Sequence, residues 1–183
     1  FPDDDIRYLK NLGGGFLNDC GCYPICASRM IFDAEPIGVS CNLSVDPKTG
    51  VDVRGTSYMT FDGEKTASIT YGTGNYYQAQ YEVWGSDGII SLERAYSIPP
   101  DLKAKMKIQF STQHDWDSRK NETLEVNTSD HFLEMINAFC LEIRGRKKIA
   151  YDIEKDLIDQ ARVMEAHRIS SEEKRFVPLD EIV

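Results

Sequence analysis

The chain reads as a helix, a long stretch of strands and two closing helices. An apolar, helix-like run follows Gly15 and continues through Ile25, Ala27, Met30, Ile31 and Phe32. Pro36 blocks its continuation, so the helix is expected to stop within 33–36. From Ile37 to about Thr112 the period shortens. Val39, Cys41, Leu43 and Val45 alternate with Ser40, Asn42 and Ser44, the signature of a half-buried strand. The turn at 46–50 combines a proline with a glycine and predicts a return strand through Val51, Val53 and Tyr58–Phe61. Asp62-Gly63 predicts a hairpin. Further strands are expected over 66–71 and 76–84, paired across Gly72-Thr73-Gly74-Asn75, then over 89–92 and 105–112. Residues 114–128 read as a polar loop with a short strand over 123–126. Ser129-Asp130 then caps a helix in which Phe132, Met135, Ile136, Phe139, Cys140 and Ile143 keep i, i+3, i+4, i+7 spacing. A last helix is expected over about 153–169, with Leu157, Ile158, Ala161, Met164 and Ala166 inward. The tail 176–179 predicts an edge strand, where a proline is tolerated. Short strands joined by tight turns argue for an antiparallel sheet. The fold class expected is α+β: a large, mostly antiparallel sheet with helices packed on one face.

Composition narrows the function. At 183 residues, one domain over 1–183 is expected. A formal net charge of −9 argues against nucleic acid and an anionic membrane as partners, since both need basic patches. No apolar run approaches the roughly 18 residues that span a bilayer. The five cysteines are odd in number and contain no CxxC pair, which favours reduced, buried thiols in a cytoplasmic protein over a disulfide framework or a metal site.

The candidate chemistry gathers in Leu12-Gly13-Gly14-Gly15-Phe16-Leu17-Asn18-Asp19-Cys20-Gly21-Cys22-Tyr23-Pro24. Three adjacent glycines suit a tight loop or the close approach of another group. On a helix, Asp19 and Tyr23 are i and i+4 and share a face, one an acceptor and one a donor. The spacing fits a structural helix start as well as a site that holds a hydroxyl or carbonyl. Pro24 leaves two geometries open: a helix that starts near Pro24, or one that starts near Phe16 and kinks.

The stretch Leu12–Asp19 with Gly21, Tyr23 and Arg29 resembles the motif that opens the C-terminal domain of the glucose–fructose oxidoreductase / inositol dehydrogenase (Gfo/Idh/MocA) family. Phe16 and Asn18 depart from its usual Ala and Leu, and the polar positions are intact. Asp5-Ile6-Arg7, Glu35-Pro36, the segment Trp84–Leu92, and Phe132–Gly145 followed by Tyr151-Asp152 and a long helix are also similar, in the same order. The resemblance implies the substrate-binding and oligomerisation domain of an NAD(P)-dependent oxidoreductase acting on a sugar, polyol or related cyclic alcohol or ketone. It implies Tyr23 as proton donor or acceptor and Asp19 as the residue that holds a substrate hydroxyl. Arg7 would contact substrate or cap the loop. NAD or NADP would be bound mainly by a domain outside this chain, because no strand–glycine–helix fingerprint occurs here and Gly72-Thr73-Gly74 reads as a hairpin turn. The isolated chain would then be inactive. A homo-oligomer formed through an open sheet face is the assembly implied. A stand-alone, non-catalytic ligand-binding or assembly module with the same fold is the alternative.

Overall fold

The computed structural model describes residues 1–2, 4–111, 118–146 and 152–182. They divide into two compact units, one formed by residues 1–75 and 151–183 and the other by residues 76–150. The described strands form two four-stranded antiparallel sheets, one in each unit, rather than one large sheet.

In the first unit, helix α1 (Cys22–Phe32) leads into strands β1 (Gly38–Val45), β2 (Asp52–Thr60) and β3 (Thr66–Gly72). Asp33 ends α1 in the left-handed conformation, with its N–H on the Arg29 and Met30 carbonyls. The Asp46 carboxylate accepts from the N–H groups of Lys48 and Thr49 and from the Thr49 hydroxyl, which fixes the first turn. β2 is continuous and longer than its two apolar patches suggest. Its buried residues Gly55, Ser57 and Met59 alternate with exposed neighbours, as do Ile69 and Tyr71 on β3. The long helix α3 (Ile153–Glu173) packs against β1. The core under it holds Phe16, Leu17, Ile25, Val39, Met59, Phe61, Val163, Ala166 and Val177.

The inward face of α3 differs from the expected one. Its buried residues are Asp159, Val163, Ala166, His167, Ser170 and Ser171, whereas Leu157 and Ile158 are 64% and 62% exposed. The polar residues are buried because each has a partner. Asp159 faces Lys155 and Arg162. His167 lies 2.7 Å from the Val163 carbonyl and 3.1 Å from the Ser57 hydroxyl. Ser170 and Ser171 each accept a backbone N–H of β1, from Cys41 and Leu43, at 2.8 Å. Those two N–H groups lie just beyond the short edge strand β8 (Val177–Pro178), which pairs only with Gly38 and Val39. The serines thus continue the edge that β8 begins, and leave neither donor unsatisfied.

In the second unit the sheet order is β4 (Tyr81–Trp84), β5 (Gly88–Leu92), β6 (Lys105–Phe110) and β7 (Lys120–Glu125). The expected pairing across Gly72–Asn75 does not form. β3 pairs with β2 alone and β4 with β5 alone. Thr73 donates to Val53 in one last cross-strand bond, and Gly74, at φ +76°, then turns the chain away. The glycines at 72–74 therefore end a strand and do not make a hairpin. β7 runs Lys120–Glu125, so the expected short strand starts three residues earlier than read; residues 112–117 lie outside the described part. The register gives the sheet two unlike faces. One carries the rows Tyr81–Leu92–Met106–Leu124 and Val83–Ile90–Ile108–Glu122, apolar but for the last residue. The other carries Glu82–Ser91–Lys107–Thr123, with Ser91 bonded to Glu82 and Lys107 to Glu93. Helix α2 (His131–Ile143) is capped by Asp130 as expected, but none of its residues is buried.

Candidate functional site

The segment before α1 is wound tightly. Single 3-10 turns cover Ile6–Tyr8 and Lys10–Leu12, the first capped by the Asp5 carboxylate on the Arg7 N–H. The glycines follow for two different reasons. A Cβ on Gly14 would stand 2.7–2.9 Å from the carbonyl oxygens of Arg7, Ile6 and Leu9. Gly15 has φ +120°, and a Cβ there would collide with the Asp52 carboxylate. The Gly15 N–H donates to the Arg7 carbonyl at 2.9 Å, so the loop closes on the residue whose side chain reaches the site.

Beyond Gly15 the chain is already helical. Leu17–Gly21 forms a π-helical turn that runs directly into α1, and Pro24 falls in the first turn of α1. This resolves the two geometries left open by Pro24. The helix starts near Phe16, and the irregularity is a widened turn placed before the residue that lacks an N–H. Phe16 and Leu17, 2% and 1% exposed, anchor the turn in the core. The departures from the family motif are thus built in. Phe16 is core, and Asn18 ties the loop to α3 by donating to the Gly13 carbonyl at 2.8 Å and accepting from Arg168 at 2.7 Å.

The Arg7 guanidinium lies between two carboxylates. Its Nη1 donates to Asp5 at 3.0 and 3.2 Å, and its Nε lies 2.9 Å from Asp19 Oδ1, an ion pair rather than a straight hydrogen bond. Its carbon sits 4.3 Å from the centre of the Phe1 ring. Arg7 and Asp19 are therefore in contact, and Arg7 holds the loop through both its backbone and its side chain. Tyr23 follows at the start of α1 and is 48% exposed. The first turn of α1 is fixed from outside by Gln160, which donates to the Cys22 carbonyl at 3.1 Å and accepts from Arg29 at 2.8 Å. Arg29, 5% exposed, forms a two-pronged bond with Glu35 at 2.6 and 2.7 Å and reaches Asp156 at 3.0 Å. Burial opposes its charge, and the two carboxylates more than compensate.

Two residues near the site gave no sequence signal. Asp52, 35 positions from Leu17, accepts the Leu17 N–H at 2.6 Å, and burial raises its pKa above the ordinary carboxylate value. Tyr71 packs where Gly21 and Gly55 lack side chains, and burial raises its pKa too. A lone Asp at a strand start and a Tyr in a strand look structural in any sequence.

The cysteines are all free. Burial pushes the Cys20 thiol up to about 11 and Cys41 up to about 12, and Cys20 and Cys22 donate to the Phe16 and Asn18 carbonyls. These thiols are poor nucleophiles. Cys26 and Cys140 are exposed, against the expectation of buried thiols. Among the described residues no group of three or more His, Cys, Asp or Glu could hold a metal ion. None of the helices is long and apolar enough to cross a membrane, among the residues described.

The Gfo/Idh/MocA C-terminal domain model matches residues 1–91. A dTDP-3,4-didehydro-2,6-dideoxy-alpha-D-glucose 3-reductase of Saccharopolyspora spinosa is 31% identical over 172 residues, covering 90% of this chain and 49% of the relative. A D-xylose 1-dehydrogenase (NADP(+)) of Haloferax volcanii is 26% identical over 181 residues, covering 98% and 53%. Among solved structures, a 3-ketoreductase of Actinomadura kijaniata in complex with NADP and TDP-benzene matches with a TM-score of 0.82 and 28% identity, over 93% of this chain and 50% of that one. An aldose-aldose oxidoreductase of Caulobacter crescentus, at 22% identity and a TM-score of 0.80, shares the fold. The chain spans about half the length of the curated relatives it matches. By its opening motif, its fold and these relatives, the chain belongs to the Gfo/Idh/MocA family and carries that family's C-terminal domain.

Proposed function

We propose that this chain is the substrate-binding and oligomerisation part of an NAD(P)-dependent oxidoreductase that reduces the keto group of a nucleotide-linked sugar. The observation that carries this reading is the 31% identity to a dTDP-ketosugar reductase along 172 residues, together with Asp19 and Tyr23 on the helical stretch that follows the glycine loop. Among the described residues no strand–glycine–helix turn forms: Gly72–Gly74 closes β3 and opens no helix. The nicotinamide, held by the rest of the protein, supplies the hydride when bound. This chain's own residues handle the sugar. As the carbonyl carbon gains the hydride, the C=O π bond becomes a lone pair on oxygen, and that oxygen takes the proton of the Tyr23 hydroxyl. The oxidation runs the same path backwards. Asp19, with one oxygen on Arg7, keeps the other for a sugar hydroxyl, and Arg7 fixes its orientation.

The proposed assembly is a cytoplasmic homo-oligomer formed through an uncovered sheet face. Ser40, Asn42, Ser44, Thr56, Tyr58 and Thr70 are exposed on β1–β3, so such an interface would be hydrated and rich in hydrogen bonds.

The test is a substrate panel on the complete protein. NADPH oxidation is followed with a dTDP-linked 3-ketosugar, and NADP reduction with free D-xylose. The proposal expects kcat/KM at least about tenfold higher for the nucleotide-linked ketosugar. A preference for the free aldose would move the substrate class to simple sugars. No nicotinamide-dependent turnover with either would leave a binding or assembly module.

A further inference from the structure

We propose that Asp52 is a positioning residue for this site, which acts through Tyr23 by holding the π-helical turn that carries Asp19 into α1. The inference rests on the proposed role of Tyr23.

The argument starts from the turn itself. The N–H groups at the start of a helical stretch have no partner within it and need one from outside. The residue preceding this turn, Phe16, supplies no side-chain cap. The acceptor comes from 35 residues away: Asp52 Oδ2 takes the Leu17 N–H at 2.6 Å, a short, charge-assisted contact. Asp52 is the first residue of β2, where it pairs with Val45 of β1, and from Arg54 onward the strand is paired on both sides. Gly15 leaves the space this carboxylate occupies, since a Cβ there would collide with Asp52 Oδ1. Loop, carboxylate and turn are therefore fitted to one another.

A π-turn is a strained and uncommon element that needs outside support. Without the Asp52 contact, the first turn can rewind toward the α-helical period. One residue of slippage there rotates Asp19 and Tyr23 relative to each other by a large part of a turn. Arg29 and Gln160 hold α1 from the far side through Glu35, Asp156 and the Cys22 carbonyl. They fix α1 and leave the phase of residues 17–21 to contacts of the turn itself, of which the Asp52 bond to the Leu17 N–H is the one that caps its first turn from another element.

The experiment is a double-mutant cycle in the complete protein, with steady-state turnover read for the wild type, Tyr23→Phe, Asp52→Ala and the double variant. If Asp52 acts through Tyr23, Asp52→Ala lowers kcat about tenfold in the wild-type background and less than about twofold in the Tyr23→Phe background. Equal factors in both backgrounds, or no loss in either, would overturn the inference while leaving the role of Tyr23 standing. Full activity of Tyr23→Phe would overturn both. Should Asp52→Ala fail to fold, the cycle is run with Asp52→Asn. It keeps an acceptor oxygen, and the same inequality is expected with a smaller factor of about three.

Discussion

Helices α2 and α3 invert the usual reading of an amphipathic pattern. α2 has the cleaner apolar stripe, yet Phe132, Met135, Ile136, Phe139 and Ile143 are 54–70% exposed. α3 has a weak stripe, yet it buries an Asp, a His and two Ser. Apolar spacing reports that a helix has a face to bury. It does not report what covers that face. For the His and the two Ser, burial is invisible to spacing, because it depends on partners far away in sequence: Ser57 for His167, Cys41 for Ser170, Leu43 for Ser171.

Acid is the strongest way to break this comparison. His167 is fully buried, and burial lowers its pKa from 6.5 to about 4, with Arg168 adding to the shift and the Val163 carbonyl opposing it. Above pH 6.5 both folded and unfolded chains carry the neutral ring. As the pH falls below 6.5 the unfolded chain binds the proton first, so stability is lost between 6.5 and about 4. The full loss is on the order of 3 kcal/mol. Urea unfolding at pH 7 and pH 4 should show it for the wild type. A His167→Gln variant should lack that part of the loss, and an equal acid loss in both would remove His167 from the explanation.

Smaller effects sharpen the contrast. Ser170→Ala leaves the Cys41 N–H without its acceptor at a partly buried site and should cost about 1–2 kcal/mol. Phe139→Ser on α2 removes a far larger apolar side chain from an exposed position and should change stability by less than about 0.5 kcal/mol. Thermal melts of the two variants decide the order. A larger loss for Phe139→Ser would show that α2 is covered in solution.

The sequence was a good guide wherever local chemistry decides. The stop of α1 at Asp33, the Asp46 turn, the hairpin at Asp62-Gly63 and the Asp130 cap all rest on residues within a few positions of each other. It failed where a distant partner decides. β3 and β4 share a turn-like glycine segment and still join different sheets. The π-turn has no composition of its own, because it is selected by Pro24, the core contacts of Leu17 and the carboxylate of Asp52. At the site, the glycine loop, Asp19 and Tyr23 were legible through the motif they share with the family. The Arg7–Asp19 contact needed the fold of the loop to bring the two together, and Asp52 needed β2.

The most direct test of the functional claim is the turnover of Tyr23→Phe in the complete protein with a nucleotide-linked ketosugar. The change removes one hydroxyl from a half-exposed residue. Loss of about a hundredfold or more in kcat, with the variant still folded and still binding the sugar nucleotide, is the result expected for a positioned proton donor. Turnover within about twofold of the wild type would contradict it and remove Tyr23 from the chemistry.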